Sequence, residues 1–196
     1  MTGRELFRSL SDHVAPVIEQ EFHRRDLCIL TARVVIDVAH YFGIACAPLP
    51  VRVLVANRQY AERMKVDGFT DDNRDTWYAN GEHSVGIGFG SPEGRVNAWN
   101  GHLIVTAGDC FGDFSVWQAE RPEKGIITGP AILGPYRPEI LRWSMGSEDG
   151  TELWYGRIQN QGYLYSPDWR DPKRRHRLVG QLIRLAKAGA QARAVE

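Results

Sequence analysis

The sequence predicts an α+β domain: helices come first, a mainly antiparallel sheet follows, and one buried central helix packs on that sheet. Two patterns carry the expectation. Up to residue 43 the apolar residues recur at helical spacing. From residue 49 onward, short apolar and aromatic runs are separated by turn signals such as Gly108-Asp109 and Ser147-Glu148-Asp149-Gly150. Helices followed by strands, rather than alternating with them, favour α+β. The chain has 196 residues and neither repeats nor low-complexity tracts, so one domain with an ample core is the simplest reading.

Taken in order, residues 5–24 read as an amphipathic helix, bent or broken at Pro16. Residues 26–43 read as a single helix, with Asp26 as N-cap and Gly43 as the residue just past its end. This helix is apolar around most of its circumference, which predicts burial through the middle of the domain. Residues 49–56 form a strand and 58–64 a short helix. Residues 66–81 carry Asp67, Asp71, Asp72 and Asp75 and read as a surface loop, and 83–89 is a further strand. Residues 101–107 and 111–117 look like two strands around the Gly108-Asp109 turn. Strands over 140–145 and 151–158 flank the turn at 147–150. Residues 170–177 are strongly basic, and 178–194 read as a helix with Val179, Leu182, Ile183 and Ala186 as its apolar stripe. The organisation is therefore a domain over 1–168 and a basic C-terminal helix over 169–196, packed on it or extending from it.

Composition narrows the function classes. Hydrophobic content is 43% and the formal net charge is zero, so no overall field favours nucleic acid or an anionic membrane. The basic tail is the one feature that would attract phosphates, although a solvated helix is the plainer reading. Cys28, Cys46 and Cys110 cannot all pair and match no zinc spacing, so they read as reduced thiols in a cytoplasmic compartment. Residues 1–5 are not a signal peptide, and no apolar run approaches membrane-spanning length.

The chemistry resides in the order Cys28, His102, Asp113. Cys28 falls in the first turn of the central helix, where free amides and the helix dipole favour a thiolate. A hairpin centred on Gly108-Asp109 sets Ile104 opposite Asp113. Side-chain alternation then puts His102, Ile104 and Asp113 on one face, with His102 and Asp113 as diagonal neighbours roughly 7–8 Å apart at Cα. A thiol, a base and a group that orients the base are what nucleophilic catalysis by cysteine needs. His83 is the rival base, but no acidic residue follows it at hairpin spacing. The segment Asp71-Asp72-Asn73-Arg74-Asp75 lacks the glycine and distal glutamate of a calcium loop. Gly86, Gly88 and Gly90 lack a strand-to-helix context and indicate close backbone packing. Trp99, Trp117 and Gln118 are the candidate substrate-binding residues. The backbone amide of Cys28 is preferred over Gln20 as oxyanion donor.

The stretches 26–43, 99–105 and 112–114, with a cysteine at a helix start followed by histidine and aspartate on adjacent strands, resemble the transglutaminase-like branch of the papain-like cysteine enzymes. More distantly, they resemble the arylamine N-acetyltransferases. The interval from His102 to Asp113 is shorter than is typical there. The arginine-glycine-glycine-rich lead of the acetyltransferases is missing. The resemblance implies a papain-like fold for 1–168, with Cys28 as nucleophile, His102 as acid and base, and Asp113 as orienter. It implies an enzyme acting on an amide or acyl group through a thioester, as peptidase, amidase or acyltransferase, with no cofactor or metal required. The expected partner is a peptide, amide or acyl substrate, and Cys28 is expected in a surface-accessible cleft. The alternative is a non-catalytic interaction or structural protein that keeps the fold.

Overall fold

The computed structural model describes residues 1–23, 27–68, 74–89, 99–147 and 149–193. The N-terminal helical region is two helices, α1 (Gly3–Leu10) and α2 (Val14–Glu21). A reciprocal capping box starts α1: Thr2 Oγ1 accepts from the Glu5 amide and Glu5 Oε2 accepts from the Thr2 amide. The break falls at residues 11–13, ahead of Pro16 rather than at it. Pro16 sits in the first turn of α2, where its missing N–H costs no helical bond.

The central helix, α3 (Cys28–Tyr41), begins at Cys28 itself. The expected cap, Asp26, lies outside the described residues. At the other end Gly43 (φ +70°) donates to the His40 carbonyl and Ile44 to that of Ala39, closing the helix with a Schellman pair. Leu30, Val34, Val35 and Val38 are fully buried, as the all-round apolar pattern predicts.

The described strands form one curled antiparallel sheet: β1 (Ala47–Ala56), β2 (Ser84–Ile87), β3 (His102–Ala107), β4 (Cys110–Asp113), β5 (Ile132–Pro135), β6 (Arg142–Gly146) and β7 (Glu152–Arg157). The order is β5-β4-β3-β1-β7-β6. The long strand β1 pairs β3 with its first half, β2 with its second half, and β7 along the other edge. On one face Leu103, Val105 and Ala107 join α1, α2 and α3 in the main core, and on the other Ile104, Phe111, Val51 and Tyr155 fill the inside of the curl. The mixed α+β class and the antiparallel sheet agree with expectation.

Some boundaries differ. Helix α4 spans Arg58–Asp67. The expected loop over 66–81 contains a further helix, α5 (Arg74–Ala79), because Trp77 buries itself edge-on to Tyr60. The expected strand over 111–117 ends at Asp113, and Val116–Ala119 is a 3₁₀ turn that carries Trp117 and Gln118. Strand β5 has no counterpart in the sequence reading.

After the short helix α6 (Pro167–Arg170), α7 (His176–Arg193) packs on α1, α2 and α3 and sinks Leu178, Leu182 and Ala186 into the same core. The basic stretch is largely engaged. Arg175, 8% exposed, pairs with Asp37, Arg174 with Asp168, and Arg177 with Glu21. Among the described residues no helix is long and apolar enough to cross a membrane.

Candidate active site

The β3–β4 hairpin has the register that residue alternation demands. Ala107 faces Cys110 and Val105 faces Gly112 across the two-residue loop, with Gly108 at φ +58°. One step further, Ile104 comes level with Asp113. His102, the first residue of β3, and Asp113, the last of β4, thus share the inner face at one end of the sheet. The imidazole Nε2 lies 2.8 Å from both Asp113 oxygens. The carboxylate is fully buried and also accepts from the Tyr155 hydroxyl at 3.0 Å and the Ser115 amide at 3.1 Å. This donor set compensates the burial of a charge.

Cys28 reaches the same end of the sheet from the opposite face, on α3. With Nε2 engaged by Asp113, Nδ1 is the ring nitrogen left for the thiol. Burial by itself would lower the His102 pKa. The charge and hydrogen bond of Asp113, and then the hydrogen bond and charge of Cys28, outweigh burial and hold it up to about 10. The thiol, imidazole and carboxylate therefore form one electrostatic unit.

Gln118 fixes the start of α3. Its Oε1 accepts from the Leu27 amide at 3.0 Å, a role an N-cap side chain otherwise fills. Its Nε2 is buried and has no partner among the described residues. Trp117 lies beside it, donating Nε1 to the Phe114 carbonyl. Trp117, Gln118, Pro16 and Glu19 line a cavity of about 450 Å³. Trp99 packs away from that cavity, edge-on to Tyr163, which is in turn edge-on to Trp169.

The expected open cleft at the thiol is not found among the described residues. Cys28 is 9% exposed and His102 2%. Five surface cavities are lined by other residues. The cause is packing: Cys28 belongs to the main core together with its chain neighbours Leu27 and Ile29. Residues 24–26 and 90–98, which precede Cys28 and Trp99 in sequence, lie outside the described residues.

The other cysteines are poor nucleophiles. Burial, then neighbouring Cys110, push the Cys46 thiol up to about 11. Burial, then Asp109, raise that of Cys110. The rival His83 has its ring 5.7 Å from that of Tyr78 and tilted to it, and no ion pair to it occurs among the described residues. Gly88, at φ +81°, packs so closely on Gly101 that an added Cβ would stand 2.8 Å from the Gly101 Cα, which bears out the close-packing reading at that position. Gly90 lies outside the described residues, as do Asp71 and Asp72. Among the described residues no group of histidine, cysteine and carboxylate side chains is placed to hold a metal.

Two contributors escaped the sequence reading. Tyr155 sits 42 positions from Asp113, and only strand order brings them together. Gln118 was a candidate for substrate contact, with no sign that it would cap α3. No protein-family model, curated protein or solved structure matches the chain.

Proposed function

We propose that this chain is a thiol-dependent enzyme acting on an amide or acyl group, related to the transglutaminase-like branch of the papain-like enzymes. The observation that carries the reading is His102, clamped through Nε2 by both oxygens of buried Asp113 and coupled electrostatically to the thiol at the start of α3. In the proposed cycle, His102 holds the proton of the Cys28–His102 pair and the thiolate attacks the substrate carbonyl carbon. The carbonyl electron pair moves onto oxygen, where the Cys28 backbone amide and Gln118 Nε2 are the available donors. Collapse of the adduct breaks the bond to the leaving group, which takes the proton from His102 and leaves a thioester on Sγ. Water or an amine, deprotonated by His102, then releases the acyl group and restores the thiol. Asp113 holds the ring orientation and stabilises the imidazolium. The chemistry asks for no cofactor.

The low exposure of Cys28 supports a second reading, a non-catalytic protein that retains the same fold. Acylation by p-nitrophenyl acetate, followed by mass spectrometry of the tryptic peptides, separates the two. Acetyl-Cys28 formed faster than acetylated Cys46 or Cys110, and lost on hydroxylamine treatment, is the expected result. Cys28 no more reactive than the other two thiols would refute the enzyme reading.

A further inference from the structure

Among the described residues the sheet ends in an edge at β6, which pairs with β7 alone. The bonds that bracket this ladder, Arg157 amide to Leu141 carbonyl and Ser147 amide to Thr151 carbonyl, fix its phase. Residues 141, 143, 145 and 147 turn their backbone groups toward β7. Arg142, Ser144 and Gly146 therefore turn their N–H and C=O groups outward, where nothing among the described residues pairs with them. Natural sheets usually blunt or cover such an edge. Here it is flanked by exposed Ile140 and Leu141, the latter 65% exposed.

Cavities lie on both sides of the strand. On the inner side, one of about 360 Å³ is walled by Phe111, Tyr136, Ile140, Trp143 and Met145. On the outer side, a groove of about 790 Å³ runs over Leu54, Trp154 and Phe89 and carries Arg52, Arg142 and Arg157. Arg137 lines the inner cavity as well. Among the described residues no carboxylate lines either space, and none of Arg52, Arg137 or Arg142 forms an ion pair. Glu139 lies on the connection before β6 but lines neither.

We propose that β6 is a docking edge for an extended, acidic segment of a partner protein, which adds to the sheet as a further strand. Backbone groups of the segment pair with Arg142, Ser144 and Gly146. Its side chains alternate: those level with Trp143 and Met145 are apolar and enter the inner cavity, and those level with Arg142 and Ser144 are acidic and face the arginines. This function is independent of the thiol chemistry.

The test uses the full chain and two fluorescein-labelled seven-residue peptides, one alternating glutamate with valine and one alternating lysine with valine, read by anisotropy. The glutamate peptide binds and slows hydrogen exchange at Arg142, Ser144 and Gly146; the lysine peptide does not. Arg142→Glu weakens binding at least about tenfold, the equivalent of about 1.4 kcal/mol. Ser144→Pro removes an outward N–H without touching the β7 ladder, so it abolishes binding while circular dichroism stays unchanged. Equal binding of the two peptides, no binding of either, or full affinity in Ser144→Pro would overturn the proposal. A concentration-dependent dimer that Ser144→Pro disperses would also overturn it, by showing that the edge serves a second copy of the chain.

Discussion

Replacing Asp113 with asparagine tests the electrostatic unit more sharply than any other single change. The carboxylate is wholly buried and receives His102, Tyr155 and the Ser115 amide. Asparagine keeps the shape but removes the charge and turns one acceptor into a donor. Breaking a buried pair in this way costs about 3–5 kcal/mol. The penalty should depend on pH. In the wild type the folded chain keeps the His102 proton up to about 10, whereas the ordinary value is 6.5. The stabilisation is therefore fully present below pH 6.5 and lost as pH rises through 10. At roughly 1.4 kcal/mol per pH unit, that interval amounts to about 5 kcal/mol. In Asp113→Asn, burial acts without the opposing carboxylate and draws the imidazolium pKa down. The gap between the two proteins is then widest near pH 6 and narrows toward pH 10. Urea unfolding of both proteins at pH 6, 7.5 and 9, followed by circular dichroism, measures it. A gap under about 1 kcal/mol at pH 6, or one that stays constant with pH, would refute the reasoning.

Three further outcomes follow from the same geometry. Cys28→Ala should remove thiol-dependent acyl chemistry while Cys46→Ala retains it, and wild-type Cys46 should alkylate with iodoacetamide only as pH climbs toward its raised pKa of about 11. Gln118→Ala should cost about 1 kcal/mol through the lost acceptor for the Leu27 amide. It should also slow acylation of Cys28 by p-nitrophenyl acetate about 100-fold with little change in its rate with iodoacetamide, which builds no oxyanion. Gly88→Ala should destabilise by about 1–3 kcal/mol, since its backbone is left-handed and Gly101 stands in the way; an unchanged urea midpoint would count against that close approach.

The His102–Asp113 pair was legible because it needs only local information. A two-residue turn and side-chain alternation determine which residues share a face, and both are written in residues 101–113. The stop of α3 was legible for the same reason, through Gly43, whereas its expected cap, Asp26, lies outside the described residues. What was not legible depends on packing across distant segments. Tyr155 meets Asp113 only because β7 and β3 both pair with β1. Gln118 reaches Leu27 only because the chain leaves β4 as a 3₁₀ turn rather than continuing as a strand. Trp77 turned an acidic stretch into helix because burying an indole against Tyr60 outweighs the polarity of its neighbours. The accessible cleft was an expectation drawn from chemistry, and the packing of Leu27 and Ile29 around the thiol ran against it.

The proposed triad is divided between a hairpin and a helix, which has a consequence for how the chain matures. His102 and Asp113 are 11 positions apart and come together as soon as one short hairpin closes. Cys28 leaves the ribosome long before either, yet it meets them only when α3 docks across the sheet and Gln118 caps its first amide. A chain in which only that hairpin has closed therefore holds the proposed base apart from the thiol. The cysteine then has no imidazole beside it. Under the proposed function, reactivity requires α3 to dock across the sheet, so the rate at which Cys28 becomes labelled during refolding reports the docking of the central helix.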